Sequence, residues 1–226
     1  MQVVALAPVA LGQGMPFFHM GDDLLRSKSM ERDSYDSGDW FNRIDWTAAS
    51  NGWKSGLPNQ ERESGNWSLI QSVFADPTTT VSQAAIVQAR ERFRELLRER
   101  KSTPLLRLAT APEVATRVDF PNGGTTQVRG LLVMTVTDGT CAGSADLDPA
   151  RDAVVVLINA GKSPATWSMP GATGLSLHPV DQASADPVAR TSTFAGGTFT
   201  VPAHTVAVFE QLQGSTRGAG LPCNSR

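Results

Sequence analysis

From Asp22 to Asn66 the sequence keeps neither a helical nor a strand period. A stretch of that length without regular structure is uncommon inside a compact domain, and is usually functional or disordered. Any fold for this chain must give it something to rest on. Its content argues against disorder, because four of the five tryptophans (Trp40, Trp46, Trp53 and Trp67) lie in it or at its end, and disordered segments are poor in aromatics.

The flanking elements are easier to read. Residues 2–11 are apolar and predict a short buried helix that Pro8 interrupts or restricts. MPFFHM, residues 15–20, is a continuous apolar run ended by Gly21, as expected of a strand buried on both faces. Beyond the loop, Thr80 and Gln83 have capping-box spacing. The sequence after them predicts a helix with Ile86, Phe93 and Leu97 on its apolar face, and with Arg90, Arg94, Glu95 and Arg98 facing water. From Arg117 onward, short apolar runs alternate with Gly- and Pro-containing turns, with strands expected at 128–136 and 153–158 and near Leu175, Phe194, Phe199 and 205–209. That rhythm indicates an antiparallel sandwich. The first half, with one strand and two or three helices, cannot enclose a core unaided.

The net charge of −2 gives no electrostatic reason to expect a nucleic acid or an anionic membrane as partner. No apolar run approaches membrane-spanning length. The N-terminus lacks the basic region and small-residue cleavage site of a secretory signal. Cys141 and Cys223 permit at most one disulfide, leaving their pairing and the cellular compartment open.

The loop also carries Glu31, Asp33, Asp36, Asp39, Asp45, Arg32, Arg43, Asn42 and Tyr35. Sugars present C–H faces and hydroxyl rims, which call for aromatic plates and planar bidentate groups. The mixture suits a sugar better than a phosphate, a metal or DNA. The spacing of Asp39 and Arg43 permits a mutual salt bridge. Three plainer readings stand beside this one. The tryptophans can simply pin the loop, Asp33, Asp36 and Asp39 could ligate Ca²⁺ although they lack EF-hand spacing, and His19 is more often packed than catalytic. His178 and His204 have no neighbouring carboxylate or cysteine cluster in sequence that would suggest a metal.

GMPFFHMGDDLLRSKS followed by RDSYDSGDWFNRIDW resembles the end of the catalytic barrel in pullulanases and limit dextrinases of the α-amylase superfamily. The resemblance continues through NGWKSGLP, RFRELLRERKSTPLLRL, LHPVDQASAD and FTVPAHTVAVF, in the family's own order and over nearly the whole chain. It implies an α+β piece: the last strand and helix of a (β/α)8 barrel followed by an all-β antiparallel C-terminal sandwich. Residues 1–101 would hold the end of helix seven, strand eight (15–20), the long substrate loop and helix eight (81–101), while residues 102–213 would form the sandwich and 214–226 a flexible tail. Loops after barrel strands line active sites.

The implied partner is an α-glucan such as pullulan, limit dextrin or a maltooligosaccharide, and the implied reaction is retaining hydrolysis of α-1,6-glucosidic linkages. Asp39 and Arg43 match the family's Asp-x-x-x-Arg pair, which holds a glucose unit on the non-reducing side of the cleaved bond. Asn42 and Trp40 are adjacent candidates, and Tyr35 and Trp46 further ones. The family's three catalytic carboxylates follow strands four, five and seven, at positions upstream of Met1. No catalytic residue, metal or cofactor is therefore assigned, the chain alone is expected to be inactive, and the rest of the barrel is an expected partner. The alternative is a non-catalytic carbohydrate-binding protein or a β-sandwich interaction module, for which MPFFHM would have little use.

Overall fold

The computed structural model describes all residues except 34, 36–37, 126, 140, 142–144, 215–219 and 224–226. The chain forms two compact units, one of residues 1–17 with 92–226 and one of residues 18–91.

The first unit is built on two antiparallel sheets. Strands β1 (Val118–Asp119), β2 (Leu131–Thr137), β3 (Arg151–Asn159), β8 (Thr205–Leu212) and β5 (Leu175–Leu177) make one sheet in the order β1-β2-β3-β8-β5. Strands β4 (Ala165–Ser168), β7 (Thr198–Val201) and β6 (Thr193–Ala195) make the other, in the order β4-β7-β6. Leu131, Val133, Ala153, Val155, Leu157, Ala207 and Phe209 of the larger sheet share a core with Phe199 and Val201 of the smaller. Residues two apart on a strand share a face, so Val154, Val156 and Ile158 point away from that core, and they too are buried. Helix α1 (Gln2–Leu11) provides the cover: its Pro8 and Leu11 border a groove of about 170 Å³ together with Val156 and Ile158. A strand enclosed on both faces reads as an unbroken apolar run, which is why β3 contains AVVVLI.

Helix α1 passes through Pro8 and ends at Gly12, whose N–H donates to the Pro8 carbonyl at 3.1 Å. One guanidinium then serves the helix's unpaired C-terminal carbonyls, since Arg100 donates to Ala10 O at 3.0 Å and Gly12 O at 2.6 Å. Gln13 fixes the exit by donating to Leu105 O at 2.8 Å and accepting from Leu108 N–H at 2.9 Å.

Helix α4 (Gln83–Ser102) starts two residues later than the expected 81 and with a different cap. Ser82 Oγ accepts from Ala85 N–H at 3.2 Å, while Thr80 Oγ1 accepts from Lys54 Nζ at 2.8 Å. Its charged side also differs from expectation: Glu95, expected in water, is buried with Arg92, Glu99 and Arg100. Glu95 accepts from Ala185 N–H and Ser184 Oγ at 2.7 and 2.8 Å. These partners lie about ninety residues further along the chain and were invisible to helical periodicity. Helix α5 (Ala111–Arg117) follows, with a complete Thr110–Glu113 capping box.

Two further expectations change. Met15 to His19 form no strand, and Met15 and Phe17 are 80% and 81% exposed, because the segment has no neighbouring strand to receive its backbone groups. Within the stretch expected as a loose tail, Leu221 is buried in the sandwich core and Cys223 is bonded to Cys141 with their Cα atoms 5.4 Å apart. Residues 215–219 and 224–226 lie outside the described residues.

Candidate functional site

The aperiodic stretch folds in the second unit, together with short helix α2 (Gln60–Glu63) and α3 (Trp67–Ala75). Two of its segments are laced together by polar bonds instead of a ladder. Ser27 N–H donates to Asn51 O at 2.7 Å, Asn51 Nδ2 to Leu25 O at 3.0 Å, and Ser29 Oγ to Gly56 O at 2.8 Å. The backbone is irregular to match: Leu25, Ser29, Met30, Ala48 and Lys54 all have positive φ, a conformation that costs energy in non-glycine residues and gathers at functional sites. A small apolar cluster of Leu24, Ala48 and Ile86, flanked by Leu25, Ile44, Val81 and Val87, anchors the assembly.

The 3₁₀ turn Trp40–Asn42 sits on this base, closed by Asn42 N–H donating to Asp39 O at 2.9 Å. Phe41 is its buried anchor. Arg26 steadies the turn from behind: Nη1 donates to Asn42 O at 3.3 Å, and Nη2 lies 2.9 Å from His19 Nδ1. His19 is thus exposed and engaged with an arginine.

Trp40 and Arg43 line a pocket of about 240 Å³ together with Asp45, Ser50, Gly52 and Ser55. The Asp45 carboxylate closes one side by accepting from four donors: Thr47 N–H and Oγ1, Ser50 N–H at 2.9 Å and Ser50 Oγ at 2.9 Å. The Thr47 hydroxyl first, then Ser50's, hold its pKa down to about 2. A carboxylate so occupied is an anionic brace and no proton donor at neutral pH. The groups left to meet a ligand are the Trp40 indole, 39% exposed, and the exposed Arg43 guanidinium.

The predicted site residues therefore separate. Trp40 and Arg43 share the pocket, and Asp39 and Asn42 belong to the adjoining turn. Among the described residues no ion pair joins Asp39 to Arg43, so the salt bridge that their spacing permits is not made. Tyr35, 79% exposed, lies under Arg62, whose guanidinium carbon is 5.5 Å from the ring centre. Trp46 is 66% exposed and outside the pocket lining. Trp53 and Trp67 have structural work: Trp53 Nε1 donates to Thr79 Oγ1 at 3.2 Å and Trp67 Nε1 to Pro58 O at 3.0 Å. Of the possible Ca²⁺ ligands, Asp33 accepts from Arg62 Nη1 at 3.1 Å, and Asp36 lies outside the described residues. Ser50, Gly52 and Ser55 were not singled out from sequence. For Gly52 and Ser55 the signal was the resemblance of NGWKSGLP, which gave the motif without a role for each residue; Ser50 precedes that motif and had none.

The family described as alpha-1,6-glucosidases, pullulanase-type, C-terminal, matches residues 48–212. The chain is 43% identical over 213 residues to chloroplastic pullulanase 1 of Arabidopsis thaliana, covering 91% of this chain and 22% of that protein. It is also 43% identical over 228 residues to a Klebsiella pneumoniae pullulanase, covering 100% of this chain and 21% of that one. Among solved structures, PulA from Klebsiella oxytoca superposes with a TM-score of 0.87 at 44% identity, covering 99% of this chain and 21% of that one. The Klebsiella pneumoniae pullulanase complexed with maltotriose superposes at 0.86 with 42% identity, covering 100% and 21%. The chain thus spans about a fifth of the length of these relatives. With the family match over most of its length and a shared mixed fold of helix and antiparallel sheet, the chain belongs to the pullulanase-type alpha-1,6-glucosidases, in their C-terminal part.

Proposed function

We propose that this chain supplies part of the α-glucan cleft of a debranching glycoside hydrolase that acts on α-1,6-glucosidic linkages. The observation that carries the proposal is the pocket in which the Trp40 indole and the Arg43 guanidinium are gathered on a braced loop. An aromatic plate beside a planar donor suits the C–H face and hydroxyl rim of a glucose unit. Asp39 and Arg43 hold a glucose unit on the non-reducing side of the cleaved bond in this reading, with Asn42 beside them and Tyr35 and Trp46 as further glucan contacts. A related Klebsiella pullulanase has been crystallised with maltotriose, which supports the ligand class.

Residues 1–101 serve, in this reading, as the closing piece of a (β/α)8 barrel, with 15–20 as its last strand. The exposure of Met15 and Phe17 supports this, because exposed apolar side chains have surface to give to neighbouring elements. The 226 residues by themselves bind glucan but do not hydrolyse it, the bond-breaking carboxylates belonging to preceding barrel strands.

Titration of this chain with maltooligosaccharides, followed by calorimetry, tests the proposal. Saturable binding that Arg43→Ala weakens about tenfold is expected, with no release of reducing ends from pullulan. No binding to the wild-type chain, or undiminished binding to the Arg43 variant, removes the pocket's assignment. Turnover of pullulan by the purified chain removes the assignment of inactivity.

A further inference from the structure

Trp40 is the pocket wall whose placement has an identifiable cause. A Cβ added at Gly56 would stand 3.0 Å from Trp40 Cζ3, 3.1 Å from Cη2 and 3.5 Å from Cε3, so three adjacent atoms of the six-membered ring occupy the space that a side chain at 56 would need. Beyond the other end of the indole, a Cβ at Gly38 would lie 3.7 Å from Cδ1. The ring of buried Phe41 meets Trp40 edge-on, with centroids 5.3 Å apart at 90°. Gly56 itself is fixed, its carbonyl accepting from the hydroxyl of buried Ser29 at 2.8 Å.

A chain needs glycine either where φ is positive or where another group comes too close for a side chain. Gly38 and Gly52 have positive φ, at 80° and 82°, whereas Gly56 is absent from the positive-φ glycines. Its φ therefore does not call for glycine, and the close approach of Trp40 is what a side chain there would disturb. An aromatic plate contributes to sugar binding only when it is held at the height and tilt of the sugar face, because ordering it on binding costs affinity.

We propose that Gly56 is a positioning residue for glucan recognition: it admits the Trp40 ring against the backbone and so fixes the plate on which a glucose unit rests. This rests on the reading that the pocket takes an α-glucan. Alanine places one atom 3.0 Å from Cζ3, closer than ring and methyl settle, and displaces the indole slightly. Leucine occupies the volume of the ring's edge and turns it out.

The test uses this chain labelled with 5-fluorotryptophan, as wild type, Gly56→Ala, Gly56→Leu, Trp40→Ala and the Gly56→Leu/Trp40→Ala double variant. Each is measured by ¹⁹F resonance and by affinity for maltotriose. The Trp40 signal, identified by its loss in Trp40→Ala, is expected to shift in both Gly56 variants while those of Trp53 and Trp67 stay, which shows that the unit remains folded. Maltotriose binding is expected to weaken about twofold in Gly56→Ala and about tenfold in Gly56→Leu and Trp40→Ala, with no further loss in the double variant. If Trp40→Ala weakens binding but Gly56→Leu does not, or if the Trp40 signal stays fixed in both Gly56 variants, the positioning role is overturned and the pocket's assignment stands. If the wild-type chain binds no maltotriose, or if Arg43→Ala leaves binding undiminished, the pocket's assignment itself fails and the positioning role with it.

Discussion

Arg92 Nη1 donates to Asp181 Oδ1 at 3.3 Å, joining residues 89 positions apart inside the sheet-bearing unit. The same nitrogen bonds to Glu95 and to Ser184 Oγ at 2.8 Å, while Nη2 reaches Val206 O at 3.3 Å. Asp181 also accepts from Val208 N–H at 2.7 Å. One buried cation thus connects α4, the short helix α6 (Pro179–Gln182) and β8. Glu99 lies buried beside this network, its carboxyl facing that of Asp181. Burial first, and the Asp181 charge second, push its pKa well above the usual carboxylate range.

These surroundings give Arg92 and Glu99 different mutational signatures. Arg92→Met strands Glu95 and Asp181 as buried charges and should cost about 3–5 kcal/mol. Glu99→Gln puts an amide donor beside Asp181 that carries no charge at any pH, so its stability relative to wild type should rise with pH. The pH dependence follows from linkage. The folded pKa of Glu99 lies above its unfolded value, so between the two the unfolded chain has lost a proton that the folded chain keeps. Stability falls as pH rises through that window, and Glu99→Gln should flatten the fall. Urea unfolding of both variants from pH 4 to pH 8 checks this. A Glu99→Gln protein whose stability relative to wild type does not rise with pH contradicts this reading of Glu99.

What was legible in the sequence was whatever rests on local periodicity or on a short motif. β3 announced itself as AVVVLI because it is covered on both faces, and α4 by its helical period. The candidate site was legible as a place, since rings and acids crowded into an aperiodic stretch, and Trp40 and Arg43 do meet there. Missing was everything decided by distant partners. Glu95 looked like a solvent residue until Ser184 and Ala185 supplied its bonds. Trp53 and Trp67 looked like Trp40 until their indole N–H groups found Thr79 and Pro58. The role of Gly56 is a fact about another residue's ring, and no property of a glycine in a sequence expresses it.

The bond between Cys141 and Cys223 closes a loop with a sequence separation of 82. It secures the crossing of the sandwich where Leu221 enters the core and Thr137 Oγ1 donates to Leu221 O. A cross-link of that span stabilises chiefly by restricting the unfolded chain, by about 2–4 kcal/mol. Reduction should therefore lower the melting temperature of the sheet-bearing unit by about 5–15 °C, and Cys141→Ser/Cys223→Ser should match the reduced wild type. Calorimetry with and without dithiothreitol measures both. Equal melting temperatures in the two conditions would show that the loop closure contributes nothing.

Asp45 offers the sharpest test of the pocket's frame. Its carboxylate is held at a pKa of about 2, chiefly by the Thr47 and Ser50 hydroxyls, against an ordinary value of 3.8. The folded pKa is depressed, so the contribution of this group is fully present above the unfolded value and is lost as pH falls through about 2. The carboxyl carbon of Asp45 should accordingly titrate near pH 2 by ¹³C NMR. Thr47→Val should raise that midpoint more than Ser50→Ala, since the Thr47 hydroxyl is the larger cause. From pH 7 down to about 4 the brace stays ionised, so maltotriose affinity should not change with Asp45 in that range. Asp45→Ala, which releases all four donors at once, should loosen residues 45–50, seen as faster amide exchange at Thr47 and Ser50. A wild-type midpoint at or above 3.8 would mean that the four bonds are not made in solution, and the pocket would lose the wall that Asp45 forms with Thr47 and Ser50.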